Sequence, residues 1–550
     1  MKIIKSYKAL LLVLLVTVAS CKKLDLAPTD AFTEENYWTT AEKANAVVNT
    51  AYNQMFNNND NNGSRSSNYF FLNEALSDNA VNTRGDNEGV ASIAAGIYDP
   101  SLGRFKAEWA NHYAAIRTCN IFMENIDKVT NMDAALRDRM KGEIRFIRAF
   151  QYFQLYTWFG DVPLILKVLT REESNVVSRT PRAEVLKFVL SELDEATKLL
   201  PLNTTYGDND KGRIAKGTAI ALKARVLLYE GRWQEVVTAC EQLMSGSNGT
   251  YSLFPSYEGL FLPQNENNSE VMLDVQYVLG TTRNYSNFFD YAPLSVGARL
   301  NSFSPTQELV NSYIMLNGKA INEAGSGYNE NDPYTSRDPR LTNTVVYHGY
   351  QWKLPDNKIK TIYTKPGTDP DKDHPDEYAP GSVSSPTGYY LRKYYDPTSL
   401  ANFQSGLNLI LIRYADVLLM YAEAKNELNQ FTSDDWDKTI KALRTRAGFT
   451  DAAALNYNGG GQTALRNTIR NERRTELAME GLRIFDIRRW RIAENVLNGW
   501  AHGAKYGPAS VDNGYLRVNQ RSFDPGKHYL WPIPRDERNL NPNLTQNPGW

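Results

Sequence analysis

The stretch GTAIALKARVLLYEGRWQEVVTACEQLM, Gly217 to Met244, decides how this chain folds. Apolar residues recur every three or four positions on both sides of Gly231-Arg232-Trp233. That spacing belongs to two amphipathic helices joined by a short turn. In the first helix small Ala224 faces large Leu228 and Tyr229. Alternating small and large residues let two antiparallel helices pack closely, so the stretch reads as one helix-pair unit.

The unit resembles a tetratricopeptide repeat, and its neighbours extend the pattern. Helical periodicity predicts further helices over Ala41–Phe56, Lys106–Val129, Ala134–Trp158, Arg182–Leu200, Pro305–Tyr313, Leu409–Leu428, Trp436–Arg446 and Thr463–Trp490. Thr180-Pro181 supplies a capping hydroxyl and an N1 proline, and Leu200-Pro201 closes the same helix. Residues Ser245 to Asn408 differ. They are rich in Gly, Pro, Asn and Tyr, with short strand-like runs at Val271–Leu279, Thr344–Tyr350 and Tyr389–Tyr395. Asn57 to Pro100 is a second long irregular region, and loops of this length are usually functional. The expected fold is mainly α: a tetratricopeptide-like helical-pair scaffold with a large loop-rich portion and a few short β-strands.

The amino terminus carries an export signal. Lys2, Lys5 and Lys8 precede an apolar or small run from Leu10 to Ser20. Eleven residues suit a signal-peptide core and fall short of the ~20 that span a bilayer. Val18-Ala19-Ser20-Cys21 matches the lipobox of bacterial lipoproteins, in which the cysteine takes a diacylglycerol and becomes the first mature residue. Acyl chains such as palmitate contribute ~0.8 kcal/mol per buried methylene, so several on one residue hold firmly. The expected organisation is a signal peptide at 1–20, a lipidated tether at 21–30, an N-terminal helical region at 31–250 and a C-terminal region at 251–550. The last is loop-rich, then helical, and packs on the first as one unit.

Removing residues 1–20 takes the formal charge from −1 to −4. So small a charge on so long a chain argues against nucleic acid as a partner. Cys119 and Cys240, each inside a helical pattern, read as free buried thiols. No phosphate, dinucleotide or nucleophile-elbow motif is present, and no cofactor is expected. The five histidines have no paired spacing for zinc. Asn58-Asn59-Asp60-Asn61-Asn62-Gly63 mimics the start of an EF-hand loop, but Tyr69 stands where a bidentate Glu belongs. Asp369, Asp371 and Asp373 have the charge for calcium but no glycine turn, and are the one metal candidate. In Ile469–Trp490, Glu472, Glu476 and Glu480 repeat every four residues. The stripe reads as one helix face, compensated within the helix by Arg473 and Arg483.

Six segments, in order, carry a wider resemblance: VASCKKLDLAP, FTEENYWTTAEKANAVVNTAYNQMF, IRFIRAFQYFQLYTWFGDVPLI, LILIRYADVLLMYAEAKNEL, IRNERRTELAMEGLRIFDIRRW and YLWPIPRDERNLNPNLTQNPGW. Together the chain resembles the SusD/RagB family of surface lipoproteins, from Cys21 to Trp550. The resemblance implies a non-enzymatic protein on the outer membrane, facing the cell exterior. It would capture a glycan or peptide and hand it to a SusC-like TonB-dependent barrel. Lys22-Lys23 depart from the acids that often follow the lipidated cysteine of exported members. Only Cys21 carries over by a motif match.

Sugars present apolar C–H faces ringed by hydroxyls, which aromatic platforms with polar neighbours match. On that ground the ligand candidates are Asp78, Asn79, Arg84 and Tyr98 in the first loop, with Tyr285, Phe288, Tyr291 and Trp352 in the second. Two other classes stay open: a tetratricopeptide-type scaffold for a protein partner, and a surface glycoside hydrolase.

Overall fold

The computed structural model describes residues 37–55, 72–82, 89–279, 290–396 and 405–550. The leader, Cys21, the tether, Arg84, Tyr285, Phe288 and the Asn58–Tyr69 loop lie outside them. Among the described residues no helix is long and apolar enough to cross a membrane.

Ten helices position the rest: α1 (Ala41–Met55), α2 (Gly103–Asn125), α3 (Ala134–Phe159), α4 (Arg182–Leu199), α5 (Lys216–Tyr229), α6 (Trp233–Met244), α7 (Gln307–Ser312), α8 (Tyr414–Glu427), α9 (Gln462–Glu476) and α10 (Arg483–Arg489). From α1 to α6 each helix packs on the next; α6 then packs on α8, and α8 on α9. The chain is therefore mainly α, a tetratricopeptide-like stack. In the α5–α6 pair, fully buried Ala219, Ala221 and Ala224 let the partners close in, and Val236 and Cys240 fill the space from α6. Cys119 and Cys240 are both free and buried. One apolar cluster runs from Trp38 to Leu544, so the two halves share a core.

The described residues also hold ten short strands: β1 (Ala80–Asn82), β2 (Val271–Val275), β3 (Phe303–Pro305), β4 (Val345–Val346), β5 (Tyr350–Lys353), β6 (Ile359–Ile362), β7 (Tyr390–Leu391), β8 (Leu409–Arg413), β9 (Gly499–His502) and β10 (Arg517–Arg521). They form five two-stranded antiparallel ribbons: β1–β3, β2–β8, β4–β7, β5–β6 and β9–β10.

Four sequence expectations change. The helix expected from Leu409 begins as strand β8, because an apolar run suits either state and β2 offers it a partner. Trp436–Arg446 holds a π-helical turn at Asp437–Lys441. Thr180 does not cap α4: an extended bridge to Val162 holds it, and Asp161 Oδ1 accepts from Arg182 N instead (2.8 Å). Finally, Thr463–Trp490 is two helices. α9 stops at Glu476 and α10 starts at Arg483, with Met479 (φ 64°) and Gly481 (φ 71°) in the left-handed region between them.

Two inputs from afar force that break. Glu74 accepts from the amides of Met479 (3.2 Å) and Gly481 (2.9 Å), groups that a continuous helix would have used internally. Glu472, Glu476 and Glu480 are also compensated mainly by other elements, not by Arg473 and Arg483. Arg413 donates to Glu270, Glu476 and Glu480 at 2.7–2.9 Å. Arg340 pairs with Asp338, Glu472 and Glu476, Arg444 with Glu472, and Arg446 with Glu270 and Glu476. Lys393 donates to Glu480 (2.7 Å), and burial pulls its pKa down to about 8. Arg473 turns away to Asp416 and Asp486, and Arg483 to Asp78. The side chains of all these groups are buried, so the network joins β8, α9 and the loop-rich segment by charge where the helical stack joins by apolar packing.

Candidate ligand-binding face

The first-loop candidates face inward. Asp78 accepts from Arg483 (2.8 and 3.0 Å) and pairs with Arg474 (3.0 Å). Burial alone would raise its pKa, but those guanidiniums hold the carboxyl well below the usual range. Asn79 uses both ends of its amide: it donates to Glu74 (2.6 Å) and accepts from Arg474 (2.8 Å). Neither side chain can meet a solute without breaking these bonds. What they do is anchor β1. Thr306 binds the carbonyls of Asp78 and Asn79, and Arg521 on β10 binds that of Ala80 (2.7 Å).

The aromatic candidates are packing residues too. Tyr98 stacks on His528 and meets Trp550 at a tilt, at 5.0 Å each, within the closure of the carboxyl-terminal segment. Tyr291 is buried against Phe303. Trp352 is 1% exposed, edge-on to Tyr395 and under the Arg392 guanidinium. The calcium candidate is also corrected. Glu377 accepts from the amides of Gly367, Thr368 and Asp369 (2.6–2.9 Å), so backbone donors hold this turn. Among the described residues no group of three His, Cys, Asp or Glu is placed to hold a metal ion.

Among the described residues, the exposed large aromatic is elsewhere. The β9–β10 ribbon touches α7, and residues Val90–Ala94 connect it to β1, so β1, β3, α7 and the ribbon form one face. Strand alternation puts Trp500 and His502 on the same side of β9. Trp500 is 38% exposed, and Arg517, opposite His502 on β10, lies 5.4 Å over its ring. Arg517 forks onto Asp512 (2.7 and 2.9 Å), whose Oδ2 is 3.0 Å from His502 Nε2. The other ring nitrogen, Nδ1, is 2.7 Å from Glu308 on α7. Tyr515, half-buried, lies edge-on to the His502 ring at 6.4 Å, and the Lys505 ammonium sits 5.8 Å over the Tyr515 ring. The arrangement is an aromatic plate bordered by groups that donate and accept hydrogen bonds.

The carboxylate of Glu308, with Asp512 on the opposite nitrogen, raises the pKa of His502 above 6.5. Charged His502 therefore holds α7 to β9 fully below pH 6.5, and the tie is lost as pH rises through the raised value. In an NMR titration the His502 ring should show a midpoint above 6.5 that falls in Glu308→Gln. An unchanged midpoint in that variant would contradict the assignment.

Sequence reasoning missed this face. Its one local signal is a tryptophan next to a glycine in the short stretch Asn498-Gly499-Trp500-Ala501-His502-Gly503.

Comparison with known proteins fits this architecture. The SusD family model matches residues 264–550, more than half of the chain. The chain belongs to the SusD family. A second model, described as starch-binding associating with outer membrane, matches residues 22–228 of this SusD-family chain. SusD-like protein P2 of Formosa agariphila is 28% identical over 99% of this chain and 100% of its own. A SusD-like carbohydrate binding protein from Bacteroides fragilis superposes with a TM-score of 0.82 at 29% identity, covering 92% of this chain and all of its own. A laminarin binding SusD-like protein gives a TM-score of 0.67 at 25% identity, covering 93% of this chain and all of its own.

Proposed function

We propose that this SusD-family chain is an outer-membrane lipoprotein that captures a glycan on the Trp500 face and hands it to a TonB-dependent transporter. The observation that carries this reading is the exposed Trp500 ring bordered by His502, Arg517, Asp512 and Glu308. It is a binding surface by composition: the ring covers a sugar's apolar side while the border meets its hydroxyls. Both carboxylates there are already engaged by His502 or Arg517, which favours recognition over glycoside hydrolysis. The relatives named for carbohydrate or laminarin binding support the ligand class. A peptide ligand is the competing outcome in a binding screen.

Cys21 is the proposed anchor. Cys21→Ala should release the folded protein from the membrane fraction, and a variant that stays fully membrane-bound would contradict this. For the transporter, a groove of about 430 Å³ between α2 and the carboxyl-terminal segment is lined by Trp109, Tyr113, Ile116, Leu169 and Leu544. Leu166, Val176 and Leu540 are half or more exposed and come from the segments that line it. Apolar surface of this kind supports a protein contact. The test is a gentle detergent pull-down of the tagged native lipoprotein with mass spectrometry. The reading expects a large barrel in near one-to-one amount; an intact lipoprotein that brings none would overturn the handoff.

A further inference from the structure

One imidazole ring fastens the Trp500 face. His502 lies between two carboxylates from different elements: Nδ1 is 2.7 Å from Glu308 on α7, and Nε2 is 3.0 Å from Asp512 in the turn Asp512–Gly514. The His502 side chain is 26% exposed, so protons reach it from solvent. Only the doubly protonated ring can donate on both sides, because a neutral imidazole carries a single N–H.

Loss of one proton does not affect the two sides equally. Glu308 accepts from the His502 ring and backbone amide (3.2 Å), whereas Asp512 is also forked by Arg517. The remaining proton is therefore held toward Glu308. The Nε2 lone pair then faces Asp512 Oδ2, the same oxygen that accepts from Arg517 Nε (2.7 Å). An attractive contact becomes a repulsive one.

The turn is poised to respond. Asp512 (φ 44°) and Asn513 (φ 56°) both hold left-handed backbone, which is costly outside glycine and persists only while surrounding bonds impose it. If Asp512 moves, Arg517 moves with it, and Arg517 is the group 5.4 Å over the Trp500 ring. Each step from His502 to Trp500 is thus a direct contact.

The other charges near the ring do not titrate in its place. Arg517 stands opposite it on β10 and, with His502, holds the Asp512 carboxyl well below the usual range. Tyr515 lies edge-on at 6.4 Å; its hydroxyl and the Lys505 ammonium, which pairs with Glu330, are pushed up from ordinary values of 10.0 and 10.5. Behind Glu308, Arg474 of α9 and Arg521 of β10 act on it as guanidiniums, which keep their charge where histidine titrates.

We propose that doubly protonated His502 latches the Trp500 face in its glycan-binding form, and that loss of one proton releases Asp512 and Arg517 and weakens the grip. The latch rests on glycan capture at this face. Glu308, and Asp512 after it, raise the ring's pKa above 6.5. The latch is therefore fully closed below pH 6.5 and opens as pH rises through the raised value.

The test is calorimetry on the full-length protein with laminarihexaose and maltoheptaose, both uncharged, from about pH 5.5 to about pH 9, which brackets the ordinary histidine value. The affinity of a sugar that binds should fall at least about fivefold, the low end of ordinary coupling between sites. By reciprocity the same sugar at saturation should raise the NMR midpoint of His502, a shift that a merely structural tie would not show. His502→Gln can donate to only one carboxylate and should bind weakly at every pH. Glu308→Gln should move the midpoint of the affinity curve to lower pH, and it decides alone should His502→Gln fail to fold. Binding that is lost in Trp500→Ala yet flat in pH, a fall that persists in His502→Gln, or a His502 midpoint indifferent to the sugar would overturn the latch and leave capture standing. No binding that depends on Trp500 at any pH would overturn capture and latch together.

Discussion

Arg413→Met should lower the unfolding free energy of the protein by ~3–5 kcal/mol, the range for stripping one partner from a buried ion pair. Arg413 is 1% exposed, and its guanidinium meets Glu270, Glu476 and Glu480 together with the Glu476 carbonyl. Methionine keeps much of the volume but leaves three buried carboxylates short of a donor. Lysine should recover only part of the loss, because an ammonium cannot fork onto two carboxylates. Lys358→Ala, which breaks an exposed pair with Asp356, should cost under ~1 kcal/mol. Urea unfolding of the three variants checks this order; equal midpoints for Arg413→Met and Lys358→Ala would refute it. The network also fixes the acid limb. Burial opposes ionisation of Glu476, yet Arg446, Arg413 and Arg340 depress its pKa below 4.5. Its contribution is thus full above pH 4.5 and is lost as pH falls through the depressed value.

Trp500→Ala should weaken glycan binding at least tenfold, about 1.4 kcal/mol or more, while leaving the urea midpoint within experimental scatter. A large apolar ring gains roughly 1.5–3 kcal/mol when a ligand covers it fully. Trp500 is open to solvent on a two-stranded ribbon, so truncation leaves no cavity in the core. Trp500→Phe should retain most of the affinity. Calorimetry with laminarin and starch oligosaccharides separates the readings. A glycan affinity indifferent to Trp500 would move the site elsewhere, and new reducing ends would bring back the hydrolase.

The helical stack was legible because its signal is local. Apolar residues on both sides of Gly231-Arg232-Trp233, with small Ala224 set against large Leu228 and Tyr229, keep helical spacing, and α5 and α6 appear where that spacing places them. The α9–α10 break was not legible. Apolar spacing runs through Leu477 to Leu482 unchanged, and the force that opens it is the carboxylate of Glu74, some 400 positions away. The same distance misleads at Asp78 and Asn79. Polar residues in a long loop suggest a surface, but Arg474, Arg483 and Glu74 meet them from below. Tyr291 and Trp352 are core residues inside a loop-rich segment, because that segment buries aromatic rings where a helix would bury aliphatics. Trp500 escaped because its partners Arg517, Asp512 and Glu308 come together only through the β9–β10 register and the packing of α7.

Hydrogen–deuterium exchange of the intact protein, with and without a saturating glycan found by calorimetry, tests glycan capture on the Trp500 face most directly. The account predicts slowed exchange at β9, β10 and the start of α7, with the helical stack from α2 to α6 unchanged. Protection confined to the groove beside Trp109, with the β9–β10 ribbon unaffected, would contradict it.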